Sequence, residues 1–452
     1  PGLIDCHSHT GISRGVNEGT QAVTSEVRIA DVINPDAIGW YRQLAGGITA
    51  VNQLHGSANP IGGQNSVVKL RWGVDHPDDM RIDGATPGIK FALGENVKQS
   101  NWGRRVNSRY PQTRMGVETL IRDRFVAARE YDNAWKRYNA LPDREKRNAL
   151  PPRRDLALEA LAQHINGERL IHCHSYRQDE ILMLCRLAEE FDFTIGTFQH
   201  VLEGYKVAES IKQHAIGGSA FSDWWAYKFE VYDAIPENGA IMHDVGVVVS
   251  FNSDSNELAR RMNAEAAKAV KYGGVPEDEA LKFVTLNPAK QLEIDDRVGS
   301  LEVDKDADFV VWNAHPLSAM ARPEYTIVES RMMFSRARDR ELRQMAQSER
   351  QRIIQKILTP EDNDDDDRTG EREDEEADDA ATDIPGAPTR DAVPEQEPDG
   401  RRFSMIQRMT SGGYTREALE REYRWMLENG LDPDVARCGD CGCSVHSLFK
   451  RR

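Results

Sequence analysis

Short runs of consecutive apolar residues alternate along the chain with longer stretches in which apolar positions recur every three or four residues. The first pattern is that of a strand buried on both faces, the second that of a helix with one buried face. Their alternation predicts βα units around a parallel sheet. Strand-like runs fall at residues 2–6, 47–54, 67–70, 88–93, 169–173, 193–198, 215–221 and 245–251. Eight strands is the number that closes a barrel, so the expected class is α/β with a (β/α)8 barrel, and a doubly wound open sheet is the alternative. Helices are expected at 35–45, which opens on a proline, and at 179–191. A long Arg-rich helical insertion at 101–168 carries Val117, Leu120, Ile121, Phe125 and Ala128 at helical spacing. Its charged positions are expected to form a solvated face.

Near residue 298 the period shortens to β-like segments, notably 308–312 and 325–328, and predicts a small β appendage at 298–336. A helical segment at 337–359 leads into an acidic linker at 360–400, then a small Cys-containing segment at 401–452 with one helix at 416–429. The body before them, 1–297, is the expected barrel. Between residues 361 and 399 the chain holds 18 acidic and 3 basic residues, which accounts for almost all of the net charge of −16. That stretch lacks aromatics and cannot bury enough apolar surface to order itself, so a disordered linker is expected. The body is then close to neutral and has no basic face for nucleic acid.

Cys6, Cys173 and Cys185 are scattered, which argues against a disulfide scaffold. Cys438, Cys441 and Cys443, with His446 nearby, have spacing suited to a second, structural metal; a reduced tail is the alternative. No apolar run is long enough to span a membrane, and no signal peptide is evident. The chain opens directly on a strand without a methionine, so upstream residues are expected. A cytoplasmic location is the default expectation, a small molecule the expected substrate, and a homo-oligomer is left open.

The histidines fall at strand ends. In a parallel barrel the C-terminal strand ends converge and carry the chemistry. His7 and His9 end the first run, and alternation turns both to one side. His174 ends the run 170–174, His200 follows the run 193–198, and Asp254 follows the run 247–251. Neutral imidazole and carboxylate are ligands for zinc and related divalent ions, so these five residues form the candidate metal set. His172 is expected to be a packed, outward-facing side chain, and alternation makes Cys6 and Cys173 small core residues.

The opening Pro1-Gly-Leu-Ile-Asp-Cys-His-Ser-His9, a His after each of two middle strands, and Ser253-Asp254-Ser255 resemble the amidohydrolase superfamily. The closing Leu286-Asn-Pro-Ala289 and the run from Gly299 to Trp312 are similar to that family's return into its β-sandwich domain. The likeness spans residues 1 to about 335 and is greatest to imidazolonepropionase-like amidohydrolases and dipeptidases. It implies a distorted (β/α)8 TIM-type barrel with a partial β-sandwich, of which this chain shows the C-terminal half. It also implies that His7, His9 and Asp254 hold one divalent metal, with zinc the expected ion, while His174 and His200 face a second position. A carboxylated lysine or a glutamate bridges such pairs, and Lys90 and Glu95 both answer that description. One ion or two remain open, with Lys90, an ammonium in an apolar run, slightly preferred.

The implied reaction is hydrolysis of a C–N bond in an amide, cyclic amide or small peptide by metal-bound hydroxide. Asp254 is the expected general base, and His200 or His172 the group that stabilises the oxyanion. His55, Gln64 and Trp224 are candidate substrate contacts, with a structural turn and ordinary packing as the alternatives. A deaminase of an amino-substituted ring is the rival within the family. The resemblance favours amide hydrolysis, because His174 is followed by Ser-Tyr-Arg-Gln where a deaminase commonly has Glu. A non-catalytic scaffold is the rival outside it, and would have no need of the five ligand-type residues together.

Overall fold

The computed structural model describes residues 1–13, 15–100, 109–224 and 228–358. Every residue of its first strand, β1 (Leu3–Ser8), is buried, as an unbroken apolar run demands. The chain then turns through helix α1 (Ile38–Leu44) and returns as β2 (Ile48–Gln53), parallel to β1. Gly11, just after His9, has φ +72°, and a Cβ there would lie 2.2 Å from the fully buried Trp40 ring. Only glycine tolerates both the left-handed backbone and that approach.

Next come β3 (Ile61–Gln64) and β4 (Ser66–Lys69), separated by Asn65 alone. β4 pairs antiparallel with β2, and β3 antiparallel with β5 (Gly88–Ala92). The run from Ile61 to Lys69 therefore joins a three-stranded sheet, β1-β2-β4, to a six-stranded one. This departs from the sequence reading twice: Gln64, expected in or near a turn, lies in a strand, and this part of the sheet is antiparallel. Ile61-Gly-Gly-Gln64 has one apolar side chain, too little for a period to register.

The helical insertion contains α2 (Arg114–Asn139), α3 (Asp143–Lys146) and α4 (Leu156–Ile165). Thr113 caps α2 by accepting from the Gly116 N–H, and Asp155 caps α4 through Ala157 and Leu158. Val117, Leu120, Ile121, Phe125 and Ala128 are buried together on α2. Phe125 packs on Phe91, Phe191 and Phe193, with ring centres 5.8, 5.3 and 5.1 Å away.

The βα rhythm resumes with β6 (Leu170–Ser175), α5 (Gln178–Phe191), β7 (Ile195–His200), α6 (Ala208–His214), β8 (Ala215–Ala220), α7 (Asn238–Val245) and β9 (Val249–Phe251). From β5 to β9 the strands lie parallel in chain order. Helices α8 (Met262–Gly273), α9 (Glu277–Lys282) and α10 (Leu286–Gln291) follow. The end of β9 is tied back to β1, because the Asp254 N–H donates to the His7 carbonyl at 3.2 Å. Cys6 Sγ also lies 3.0 Å from Ser219 Oγ of β8, so this thiol is a buried core group, as alternation predicts.

β10 (Phe309–Trp312), β11 (Pro323–Val328) and β12 (Arg331–Ser335) form a separate antiparallel sheet. It is fastened to the body by the Gly2 N–H on the Asp308 carbonyl at 2.9 Å, just before β1, and by Thr326 Oγ1 on the Leu44 carbonyl at 2.7 Å, at the end of α1. Among the described residues, Pro1–Asp339 belong to one compact unit and those from Arg340 to Leu358 to another. The helix α11 (Arg336–Leu358) has no buried residue. The expected acidic linker, the helix at 416–429 and the Cys438, Cys441 and Cys443 site lie outside the described residues. No described helix is long and apolar enough to cross a membrane.

Candidate metal centre

His7 Nδ1 lies 2.8 Å from Gln199 Oε1, and His9 Nδ1 lies 2.8 Å from the Leu54 carbonyl. Gln199 is oriented by its own amide N–H on the Cys6 carbonyl at 3.4 Å. Both partners are acceptors, so each Nδ1 carries the proton and each neutral ring presents a lone pair at Nε2. Those two Nε2 atoms are 3.3 Å apart, and stand 3.6 and 3.3 Å from Asp254 Oδ1. Three electron-pair donors aimed at one point repel one another unless a cation lies between them. The donor atoms of His7, His200 and Asp254 likewise lie within 4.8 Å of one another, and all three residues are buried. Imidazoles backed by carbonyl oxygens, with one carboxylate, make a donor set that fits a divalent ion such as zinc.

Two members of the group have strained backbones. His200 has φ +68° and Asp254 φ +46°, and neither is glycine. Each costs about 1–3 kcal/mol and persists only where the surroundings impose it. For Asp254 the restraint comes from Asp5. This fully buried carboxylate accepts from Ser253 N–H at 3.1 Å, Ser253 Oγ at 2.5 Å and His7 N–H at 3.3 Å. Burial pushes its carboxyl up to about 6, with the hydrogen bonds from Ser253 and His7 opposing and the nearby Asp254 charge adding to the rise. Asp5 is a positioning residue that the sequence reading passed over. The available signal was an aspartate inside an apolar run, where it needs partners.

Of the two alternatives in or near β5, Lys90 is the one drawn to the histidines, with Nζ 3.3 Å from His7 Nε2. Glu95 is half-buried and is held by its backbone N–H on Glu230 Oε2 at 2.8 Å. His200 groups with His7 and Asp254 rather than with His174 alone, although the His174 and His200 ring centres are 4.8 Å apart. Trp224 stacks on Phe221 at 4.4 Å, and Phe221 on His200 at 4.5 Å, so an aromatic wall adjoins the group. The other two anticipated substrate contacts are engaged within the protein. His55 donates to the Gly56 carbonyl and accepts from the Glu18 N–H, both at 2.8 Å, and Gln64 donates to the Ser25 carbonyl at 3.0 Å.

His172 does not face outward as expected. β5 and β6 pair without a register shift, so His172 shares a face with His174 and stands beside Lys90. Burial, with the Lys90 charge adding, pushes its imidazole down to about 3, so the ring is neutral. A Cβ on Gly88 would come within 2.7 Å of it, which is why the strand carries glycine there. Tyr176 borders the centre, Lys228 lies over its ring and Glu230 lies beside Lys228; none was anticipated, because their loops meet across more than 50 residues.

The family model for the amidohydrolase family matches residues 234–355. An amidohydrolase from Thermotoga maritima MSB8 of known structure is 34% identical. It superposes with a TM-score of 0.66 over 74% of this chain and 87% of that one. Amidohydrolase tasK of Hapsidospora irregularis is 30% identical over 360 residues, 74% of this chain and 36% of the relative. A urease subunit alpha of Yersinia pestis is 35% identical over 105 residues, 19% of this chain and 18% of that protein. With fold, donor set and likeness together, the chain belongs to the amidohydrolase family. It spans about a third of the length of tasK and under a fifth of the urease subunit.

Proposed function

We propose that this chain is a metal-dependent hydrolase cleaving the C–N bond of an amide, cyclic amide or small peptide. The convergence of His7 Nε2, His9 Nε2 and Asp254 Oδ1, with both tautomers set by acceptors at Nδ1, carries the reading. In this account β1, β2, the joined β3 and β4, and β5 to β9 form the ring of a distorted (β/α)8 barrel, with β10 to β12 as half of a β-sandwich. His7, His9, His200 and Asp254 would hold a divalent ion, zinc by ligand chemistry. His174 and Lys90 would serve a second position. Lys90 as an ammonium competes for the His7 lone pair, whereas carboxylation makes it an anion suited to bridging.

When bound, the ion supplies Lewis acidity to the scissile carbonyl and acidifies a water. The chain's own groups do the remainder. Asp254, held rigidly by the Asp5–Ser253 contacts, takes the proton from the attacking water and delivers it to the leaving nitrogen. Phe221 and Trp224 would exclude bulk water from the His200 side of the group. The experiment is a screen of the zinc-loaded full chain against N-acyl amino acids, dipeptides and cyclic amides, scored by amine or acid release. Turnover is expected, and Asp254→Asn should lower kcat by about 10²–10⁴-fold. No turnover by the metal-loaded chain, or full activity in the variant, overturns the reading.

A further inference from the structure

We propose that Arg109 is a positioning residue for the metal centre: its guanidinium clamps together the loops that follow β1, β2 and β5, and so fixes the carbonyl that orients His9. This rests on the metal reading above and extends it to a residue far from the strand ends in sequence. Nη1 donates to the Gly19 carbonyl at 2.7 Å and to the Gln21 carbonyl at 3.2 Å, both in the loop after β1. Nη2 donates to the Ala58 carbonyl at 2.7 Å, in the loop after β2, and to the Val97 carbonyl at 2.8 Å, in the loop after β5. The two terminal nitrogens carry four hydrogens, one for each of these carbonyls. Burial pushes the pKa of this guanidinium down, so Arg109 departs from the solvated face expected of the Arg-rich insertion.

The loops it joins are those that govern the ligands. The loop after β2 begins at Leu54, whose carbonyl lies 2.8 Å from His9 Nδ1 and sets that ring's tautomer. Two bonds tie it to the loop after β1, the Gly56 N–H on the Val16 carbonyl at 2.7 Å and the Ala58 N–H on Asn17 Oδ1 at 3.0 Å. Another ties it to the loop after β5, the strand that carries Lys90, through Asn96 Nδ2 on Ser57 Oγ at 2.7 Å. Each of these bonds joins two loops, whereas Arg109 spans all three. Ala58 is 2% and Val97 0% exposed, so water is a poor substitute donor for their carbonyls. A lysine has three donors on one nitrogen and no planar fork, and cannot serve two pairs of carbonyls from two nitrogens. The insertion meets the loop after β1 a second time, where Ser25 Oγ donates to the Ala157 carbonyl at 2.9 Å. The insertion thus holds the ends of the strands that carry His7, His9 and Lys90 in one arrangement.

The test measures zinc affinity by chelator competition and hydrogen–deuterium exchange of the metal-free protein, on full chains that all carry Cys438→Ser, Cys441→Ser and Cys443→Ser so that the tail binds no zinc. Arg109→Gln should weaken zinc binding about tenfold, the lower end of the range for a residue acting behind the ligands. Exchange should quicken about tenfold or more in residues 16–21, 55–60 and 93–99, with β7, α6 and β8 unchanged. Arg109→Lys, the milder variant should Arg109→Gln fail to fold, should show a smaller loss of the same kind. In Arg109→Ala, millimolar guanidinium chloride should restore both readouts and sodium chloride should not, a recovery that a general folding defect does not give. Zinc affinity unchanged in Arg109→Gln, exchange that rises evenly along the chain, or no recovery with guanidinium overturns the proposal. Exchange confined to the three loops in a protein that binds no zinc sinks the metal reading and leaves the clamp standing.

Discussion

Replacing Lys69 by Met should destabilise the join between β4 and the C-terminal sheet by about 3 kcal/mol, the lower end of the range for breaking a buried ion pair. The Lys69 side chain is fully buried, with Nζ 2.6 Å from Asp306 Oδ2, 3.0 Å from Asp308 Oδ2 and 3.3 Å from Glu329 Oε1. The three carboxylates would not suffer equally. Asp306 keeps Arg297 at 2.8 Å and Glu329 keeps Arg71 at 2.5 Å. Asp308, whose side chain is 3% exposed, keeps the Glu329 backbone N–H at 2.7 Å. Burial already holds its carboxyl above the usual range while Lys69 pulls it down. The variant therefore strands one buried charge rather than three, and Asp308 relieves part of the cost by taking up a proton. Urea unfolding at neutral pH gives the stability, and adding Asp308→Asn to Lys69→Met should recover at least half of the loss. A Lys69→Met protein within about 1 kcal/mol of wild type, or no recovery in the double variant, would refute this reasoning.

Two further outcomes follow from buried groups. His164 is 2% exposed, and burial pushes its pKa down to about 4 despite its bond to the Arg169 carbonyl. The unfolded chain takes up that proton first as pH falls, so stability should drop between about pH 6.5 and 4 by about 3 kcal/mol in all. His164→Leu should flatten that stretch of the stability–pH curve, and an unaltered slope would clear His164 of the effect. Asp5→Asn offers one acceptor oxygen where Asp5 serves three donor groups. Zinc affinity measured by chelator competition should fall about 10–100-fold, and equal affinity would reduce Asp5 to packing.

The parts of the fold legible in the sequence were those with a strong period. Each of the eight apolar runs contains a strand, although the run 245–251 yields strand only at Val249–Phe251 because Val245 ends α7, and Val117 to Ala128 became the buried stripe of α2. β3 was not legible, because two glycines and a glutamine leave no period, and its antiparallel sense depends on partners far along the chain. His7, His9, His200 and Asp254 were legible as strand-end residues, and the structure brings their donor atoms together. Which atoms face inward was not. The Gln199 and Leu54 acceptors set the tautomers, and they come from β7 and the end of β2. His172 was misread because an outward position assumed an irregular strand, whereas β6 keeps its register beside β5. Asp5 was legible only as an aspartate inside an apolar run, whereas Tyr176 and Lys228 meet through a contact across loops, of which spacing carries no trace.

The most direct test of the account is anomalous diffraction at the zinc edge from crystals of the zinc-loaded full chain, paired with elemental analysis of the same protein. The site-resolved signal matters because the spacing of Cys438, Cys441 and Cys443 leaves a second zinc open, so a bulk count alone would be ambiguous. The account predicts one or two ions at the strand ends, bonded to His7 Nε2, His9 Nε2 and Asp254, with Lys90 or His174 beside any second ion. Zinc-loaded protein with no ion between those donors, whatever its total zinc, would contradict it.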